Sequence, residues 1–168
     1  LWVGTRVRGL SRTDLASGGF SNFSFRPESN YRIGFEKVRD AAVRADGKIW
    51  IGTTGGGLVL LDPDSGATVQ LRHEAGRAGT LPSDVVHSLA IVDQRLYVGF
   101  AGALVWSDAR GGRFHRIELP GLGAAAVQDV LRTRDGLLWV VTRAGLYQLD
   151  AQLRVAQVWR HDPRQGGG

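Results

Sequence analysis

The chain's supply of acid–base and ion-binding chemistry is four histidines, sixteen carboxylates and twenty-one basic side chains, with no cysteine. Without thiols there is no disulfide framework, no sulfur-ligated zinc and no cysteine nucleophile. His73, His87, His115 and His161 stand at no spacing used by zinc sites, and no Gly-x-Ser-x-Gly elbow occurs, so neither a metal centre nor a serine hydrolase is expected. The stretch Gly121-Leu122-Gly123-Ala124-Ala125-Ala126 has the outline of a dinucleotide fingerprint but lacks the βαβ unit that gives those glycines their purpose. Thr54-Gly55-Gly56-Gly57 lacks the Lys-Ser/Thr ending of a phosphate loop and reads as a turn. No cofactor is expected.

Two groups of side chains remain. Asp40, His87 and Asp129 each lie two residues after a valine, at Val38, Val85 and Val127, so one structural position is expected to hold all three. Two carboxylates and an imidazole around an axis suit a cationic ligand, and equally the polar lining of a water-filled channel. A metal would need them to converge at about 2 Å from one ion, which adjacent strands rarely allow. The second group is Arg6, Arg8 and Arg143, with Tyr31 and Arg32 in the loop from Arg26 to Lys37, and His73 and Arg77 in the loop from Arg72 to Asp84. Arginine beside an aromatic ring suits sugars, carboxylates or phosphates, through bidentate hydrogen bonds and stacking. Loops of this length either carry binding on a rigid scaffold or are tolerated surface insertions.

The elements that must position these residues show themselves as an internal repeat. Leu1-Trp2-Val3-Gly4-Thr5 returns as Ile49-Trp50-Ile51-Gly52-Thr53, as Leu96-Tyr97-Val98-Gly99-Phe100 and as Leu138-Trp139-Val140-Val141-Thr142. Each copy is followed by a second apolar element ending in Asp14, Asp62, Asp108 or Asp150, four residues after a leucine. These aspartates are expected to be turn residues that bond nearby amides, because repetition in every unit favours a structural cause. Each complete unit opens with a strand-like stretch, Val38 to Ala45, Val85 to Val92 and Val127 to Thr133, its first valine twelve residues before the aromatic. Two of the three run into Asp46-Gly47 or Asp135-Gly136, whose positive φ angles make a tight hairpin. The third has Asp93-Gln94, for which a different turn is expected, since left-handed geometry costs a non-glycine residue about 1 kcal/mol. A fourth strand closes each unit at Phe23 to Phe25, Thr68 to Leu71, Phe114 to Ile117 and Val155 to Val158.

Four short strands in units of 42 to 48 residues describe antiparallel four-stranded blades stacked face to face through the aromatic of the second strand. The fold class is therefore all-β, a partial β-propeller with three complete blades and three strands of another. Its expected divisions are 1–37, a partial blade; 38–84 and 85–126, blades; and 127–168, a blade with a glycine-rich tail. In a propeller the first strand of each blade lines the central channel, and the turns between second and third strands share one rim with the connections between blades. Asp40, His87 and Asp129 belong to the channel, and the second group to that rim.

The residues resemble the two-component regulator propeller repeat, in which a valine-led strand is followed by Asp-x-x-Gly-x-Leu-Trp-Ile-Gly-Thr, Gly-Gly-Leu and a strand ending in Asp. Asp46-Gly47-Lys48-Ile49-Trp50-Ile51-Gly52-Thr53 and Arg134-Asp135-Gly136-Leu137-Leu138-Trp139-Val140 carry the resemblance; the unit from Val85 to Ala126 departs from it at Gln94, Tyr97 and Phe100. The resemblance implies a ligand-sensing or interaction segment of an extracytoplasmic, periplasmic sensor domain ahead of a histidine kinase or diguanylate cyclase, and not an enzyme. Fold alone leaves two alternatives, a piece of a propeller lyase or glycoside hydrolase and a protein-binding scaffold.

Charge and apolar content bound the partners. The formal charge of +5 comes from nineteen arginines and two lysines spread without a run, the pattern of a solvated surface and not of a nucleic-acid site. No apolar run approaches the roughly 18 residues that cross a bilayer, so no membrane contact is expected of this segment. A chain that opens on Leu1-Trp2 and has no methionine reads as part of something longer. The expected partners are the remainder of a larger propeller or a second copy closing the ring as a homodimer, together with a small-molecule or saccharide ligand.

Overall fold

In the computed structural model, the hydrogen-bond ladders turn the repeat into four antiparallel sheets. Strands β1 (Trp2–Thr5), β2 (Gly9–Thr13) and β3 (Phe20–Phe23) form a three-stranded sheet. The first complete blade contains β4 (Val38–Val43), β5 (Ile49–Thr53), β6 (Leu58–Leu61) and β7 (Thr68–Leu71). The second contains β8 (Ser88–Val92), β9 (Arg95–Phe100), β10 (Ala103–Asp108) and β11 (His115–Ile117), and the third β12 (Val127–Arg132), β13 (Leu138–Thr142), β14 (Gly145–Leu149) and β15 (Val155–Trp159). The structure describes the backbone of residues 2–5, 9–13 and 20–23, and residues 37–160 throughout. Among these no helix occurs. The last strand of the first sheet spans Phe20–Phe23, upstream of the Phe23 to Phe25 expected from the sequence.

The complete blades pack with their first strands side by side, β4 beside β8 and β8 beside β12, while β1, a second strand in the repeat, lies against β4. The rim holding the start of each first strand and the turn between second and third strands is here the upper rim; the other hairpins lie on the lower one. Two apolar layers hold the complete blades together. Trp50 and Leu58 of the first blade pack with Val86, Leu89, Val98 and Phe100 of the second. Tyr97, Leu104 and Ile117 of the second pack with Val127, Val140 and Tyr147 of the third. Strand β5 is buried along its whole length, so both faces of the first blade are covered. In the third blade, Leu138 and Val140 face the second blade, whereas Leu131 and Trp159 remain 38% and 39% exposed and no described strand covers them.

The aromatic position is used differently from blade to blade. Trp50 is buried, and its indole Nε1 donates to Ala109 O, 2.9 Å away in the second blade. Tyr97 holds the corresponding place in the second layer but has no bond to the matching turn of the third blade. Beneath it a groove of about 300 Å³ opens between Arg95, Arg132, Asp150 and Ala151. Half-buried Trp139 turns back to Thr133 Oγ1 of its own blade at 3.2 Å and packs on Trp159 with ring centroids 5.0 Å apart. The glycine two residues after the aromatic makes room for the next blade: a Cβ at Gly52 would collide with Val86, and one at Gly99 with Val127.

The lower hairpins revise the expected turn chemistry. In the hairpins joining first to second strands of the first and third blades, Gly47 and Gly136 alone have positive φ, and their amides bond Arg44 O and Thr133 O. Each hairpin thus has a three-residue loop, a type I turn closed by a left-handed glycine. In the second blade Val92 pairs with Arg95, and Asp93 and Gln94 both adopt positive φ, 50° and 60°. That is the two-residue mirror-image turn the absence of glycine had argued against. Its strain is offset where Arg132 of the third blade donates to Asp93 and Ala109 N donates to Gln94 O.

Candidate functional site

The shorter loop in the second blade shifts the count from turn to aromatic by one residue, and this changes which side chains are equivalent. Opposite Gly52, Gly99 and Val141 stand Asp40, Ser88 and Asp129. His87 is therefore not the counterpart of Asp40 and Asp129, as the spacing from Val85 implied; the valine matching Val38 and Val127 is Val86. His87 occupies the bulge position one residue earlier, with Arg39 and Gln128 as its counterparts, and its amide donates to Gly99 O.

The Asp40–Ser88–Asp129 position joins the blades. Asp40 accepts from its neighbour Ala41 N through Oδ1 at 2.8 Å, and from Leu89 N of the next blade through Oδ2 at 2.7 Å. Ser88 Oγ donates to Val127 O of the blade after that, at 3.1 Å. Burial raises the Asp40 carboxyl above its ordinary value even though both amides favour its charge, and Asp129 adds repulsion in the same direction. Exposed Asp129 accepts from Val130 N through Oδ1 at 2.8 Å, as Asp40 does from Ala41.

One residue nearer the upper rim the chemistry changes sign. The Arg39 guanidinium, which can only donate, bonds His87 Nδ1 at 2.9 Å, so the imidazole is neutral there and carries its proton on Nε2. Burial, then Arg39, then Arg143 lower the pKa of His87, keeping it uncharged at neutral pH. Arg143 reaches this place from the turn between β13 and β14, pinned where its own amide donates to Ala126 O. Three blades thus supply Arg39, His87 and Arg143 to one mouth. His87 and Arg143 were both visible in the sequence, but as members of separate groups. Sequence reasoning misses Arg39, because the repeat spacing singles out its neighbour Asp40.

The remaining expected residues lie elsewhere. Arg6, Arg8, Tyr31 and Arg32 fall outside the described residues. His73 shapes its own loop: its amide donates to Asp84 Oδ1 at 2.7 Å and its Nδ1 to Leu81 O at 2.6 Å. Arg77 is paired with Glu74 at 2.6 Å and lines a groove of about 460 Å³ between β7 and the turn before β11, which includes none of Arg39, His87 and Arg143. Asp14 lies outside the described residues; the other three repeated aspartates behave as their repetition implied. Asp62 accepts from the amides of Asp64 and Ser65, Asp108 from Arg110, and Asp150 from Gln152 and Arg154.

The sequence matches no protein-family model and no curated protein. Solved structures do resemble it. The extracellular domain of the hybrid two component system BT4673 from B. thetaiotaomicron is 22% identical over 98% of this chain, with a TM-score of 0.75. That of the hybrid two component system BT3049 from the same organism is 20% identical over 94%, with a TM-score of 0.71. This chain spans 21% of the length of each. The β-propeller domain of Cps50 (Swd1) from Myceliophteria thermophila is 17% identical over 96% of the chain and matches at a TM-score of 0.61. These likenesses show the fold: the chain is a run of propeller blades.

Proposed function

We propose that this chain is a ligand-sensing segment of an extracytoplasmic sensor domain in a bacterial two-component or cyclic-dinucleotide signalling receptor, and that it binds its ligand without transforming it. The observation that carries this reading is the match of nearly the whole chain to extracellular domains of hybrid two component systems. The upper mouth supports it: Arg39, His87 and Arg143 are brought together from three blades, an arrangement suited to holding a small molecule or saccharide by hydrogen bonds. The partner in this reading is a further blade, from a longer protein or a second copy, seated on the face that bears Leu131 and Trp159. Asp129 favours the same partner, standing where Asp40 holds the next blade's amide.

A thermal-shift screen of the purified chain against saccharides and small acids tests the proposal. At a hundredfold excess over Kd, a ligand specific to the folded state adds about 2.7 kcal/mol, a rise of roughly 5 to 10 °C for a chain of this size. One ligand class is expected to give a saturable rise and to be recovered unchanged. Conversion of a ligand to product would replace this reading with an enzyme, and a flat screen would remove the small-molecule ligand.

A further inference from the structure

The upper mouth gathers two of the several arginines that have no carboxylate partner among the described residues. Arg44, Lys48, Arg72, Arg77, Arg116 and Arg132 each pair with a carboxylate. Arg39 and Arg143 have none among the described residues, and Arg39 spends one donor on a neutral imidazole. Asp40 and Asp129 sit one residue further along their strands, with one or both oxygens committed to backbone amides. Exposed arginines without partners are ordinary one at a time. Here two of them stand by a histidine that burial first, and their charge second, keep neutral, and the three come from three blades. That leaves two guanidinium groups and one imidazole Nε2–H, all donors, around one place at the axis.

We infer that this mouth binds an oxyanion, the carboxylate, phosphate or sulfate of a small ligand, through Arg39, His87 and Arg143. The inference deepens the sensing reading above and rests on it. Guanidinium groups match the paired oxygens of such groups in planar, bidentate geometry. The neutral imidazole adds a donor and becomes easier to protonate when a negative charge arrives.

The imidazole C–H resonance of His87, assigned by its loss in His87→Gln, reports the site directly in the intact 168-residue chain. It is followed during titration with inorganic phosphate and, separately, acetate, with sodium chloride holding the ionic strength constant. Phosphate or acetate is expected to move His87 saturably and to raise its pKa, while His73 and His115 stay still. Arg143→Ala, which removes an exposed side chain bonded to nothing described, is expected to weaken the response about tenfold. Arg77→Ala, at the outer groove, is expected to leave it unchanged. A response to phosphate alone assigns a tetrahedral oxyanion, and one to acetate a carboxylate. The inference is overturned if neither anion moves His87 beyond chloride, or if Arg143→Ala responds as the parent does. A neutral saccharide that shifts His87 when both anions fail would overturn it and leave the sensing reading standing.

Discussion

Trp50 and Trp139 occupy the same place in the repeat, and the structure assigns them different energetic weights. The Trp50 indole is 1% exposed and bridges two blades through its bond to Ala109 O. Trp50→Phe deletes that bond and leaves the half-buried Ala109 carbonyl without its partner, a loss of about 1 to 2 kcal/mol. It also removes the outer part of the ring from a packed layer, leaving a cavity of roughly 40 Å³ that costs about 1 kcal/mol. The sum is about 2 to 3 kcal/mol. Trp139 bonds only Thr133 of its own blade and packs on the partly exposed Trp159, so water compensates much of what Trp139→Phe removes and the cost is under about 1 kcal/mol. Urea unfolding followed by far-UV circular dichroism measures both. With m of roughly 2 kcal/mol per molar, Trp50→Phe lowers the midpoint by roughly 1.2 M and Trp139→Phe by less than about 0.5 M. Equal shifts at equal m would refute the reasoning, because they would mean that the repeat position alone sets the weight and the blade-to-blade bond counts for nothing.

Three further outcomes are expected. The Asp40 carboxyl is raised above its ordinary 3.8, so below that value its contribution to stability is complete, and it is lost as pH rises through the folded-state value. Asp40→Asn abolishes this fall, seen as a change in the slope of urea midpoint against pH; Asp62 and Asp135, whose pKa values are lowered, contribute the opposite slope in both proteins and cancel in the difference. Tyr97→Trp fills the groove above Ala151 and stabilises the chain by about 1 kcal/mol, read as a higher thermal midpoint; a lower midpoint would show that the groove cannot accept the larger ring. Gln94→Gly relieves left-handed strain in the lower hairpin and stabilises by about 0.5 to 1 kcal/mol in the same assay, whereas an unchanged midpoint would show that the turn is unstrained.

The blades were legible in the sequence because each strand pair is local: a period-two apolar pattern, an aromatic and a terminal aspartate repeat at nearly constant spacing, and local hydrogen bonds follow from them. The aspartate turns at Asp62, Asp108 and Asp150 were legible for the same reason. The mouth was only partly so. His87 was assigned by counting back from Tyr97, and that count fails because the Asp93-Gln94 loop has two residues where Ala45-Asp46-Gly47 has three. Two adjacent valines, Val85 and Val86, hid the slip. The Arg39–His87 contact spans 48 residues between separate blades, and nothing in local pattern announces a pairing of that kind. The positive φ of Asp93 and Gln94 was also out of reach, since the contact that offsets it comes from Arg132, in another blade.

The unequal lower hairpins bear on how such a scaffold diversifies. Each ladder is in place from the aromatic upward whatever the loop beneath it, so a residue can be lost at the bottom while Asp40, Ser88 and Asp129 keep their stations at the top. Variation at one end of the molecule is thereby insulated from recognition at the other. The lower loops are free to drift in length and to acquire new neighbours, and Arg39, His87 and Arg143 at the upper mouth never feel the change.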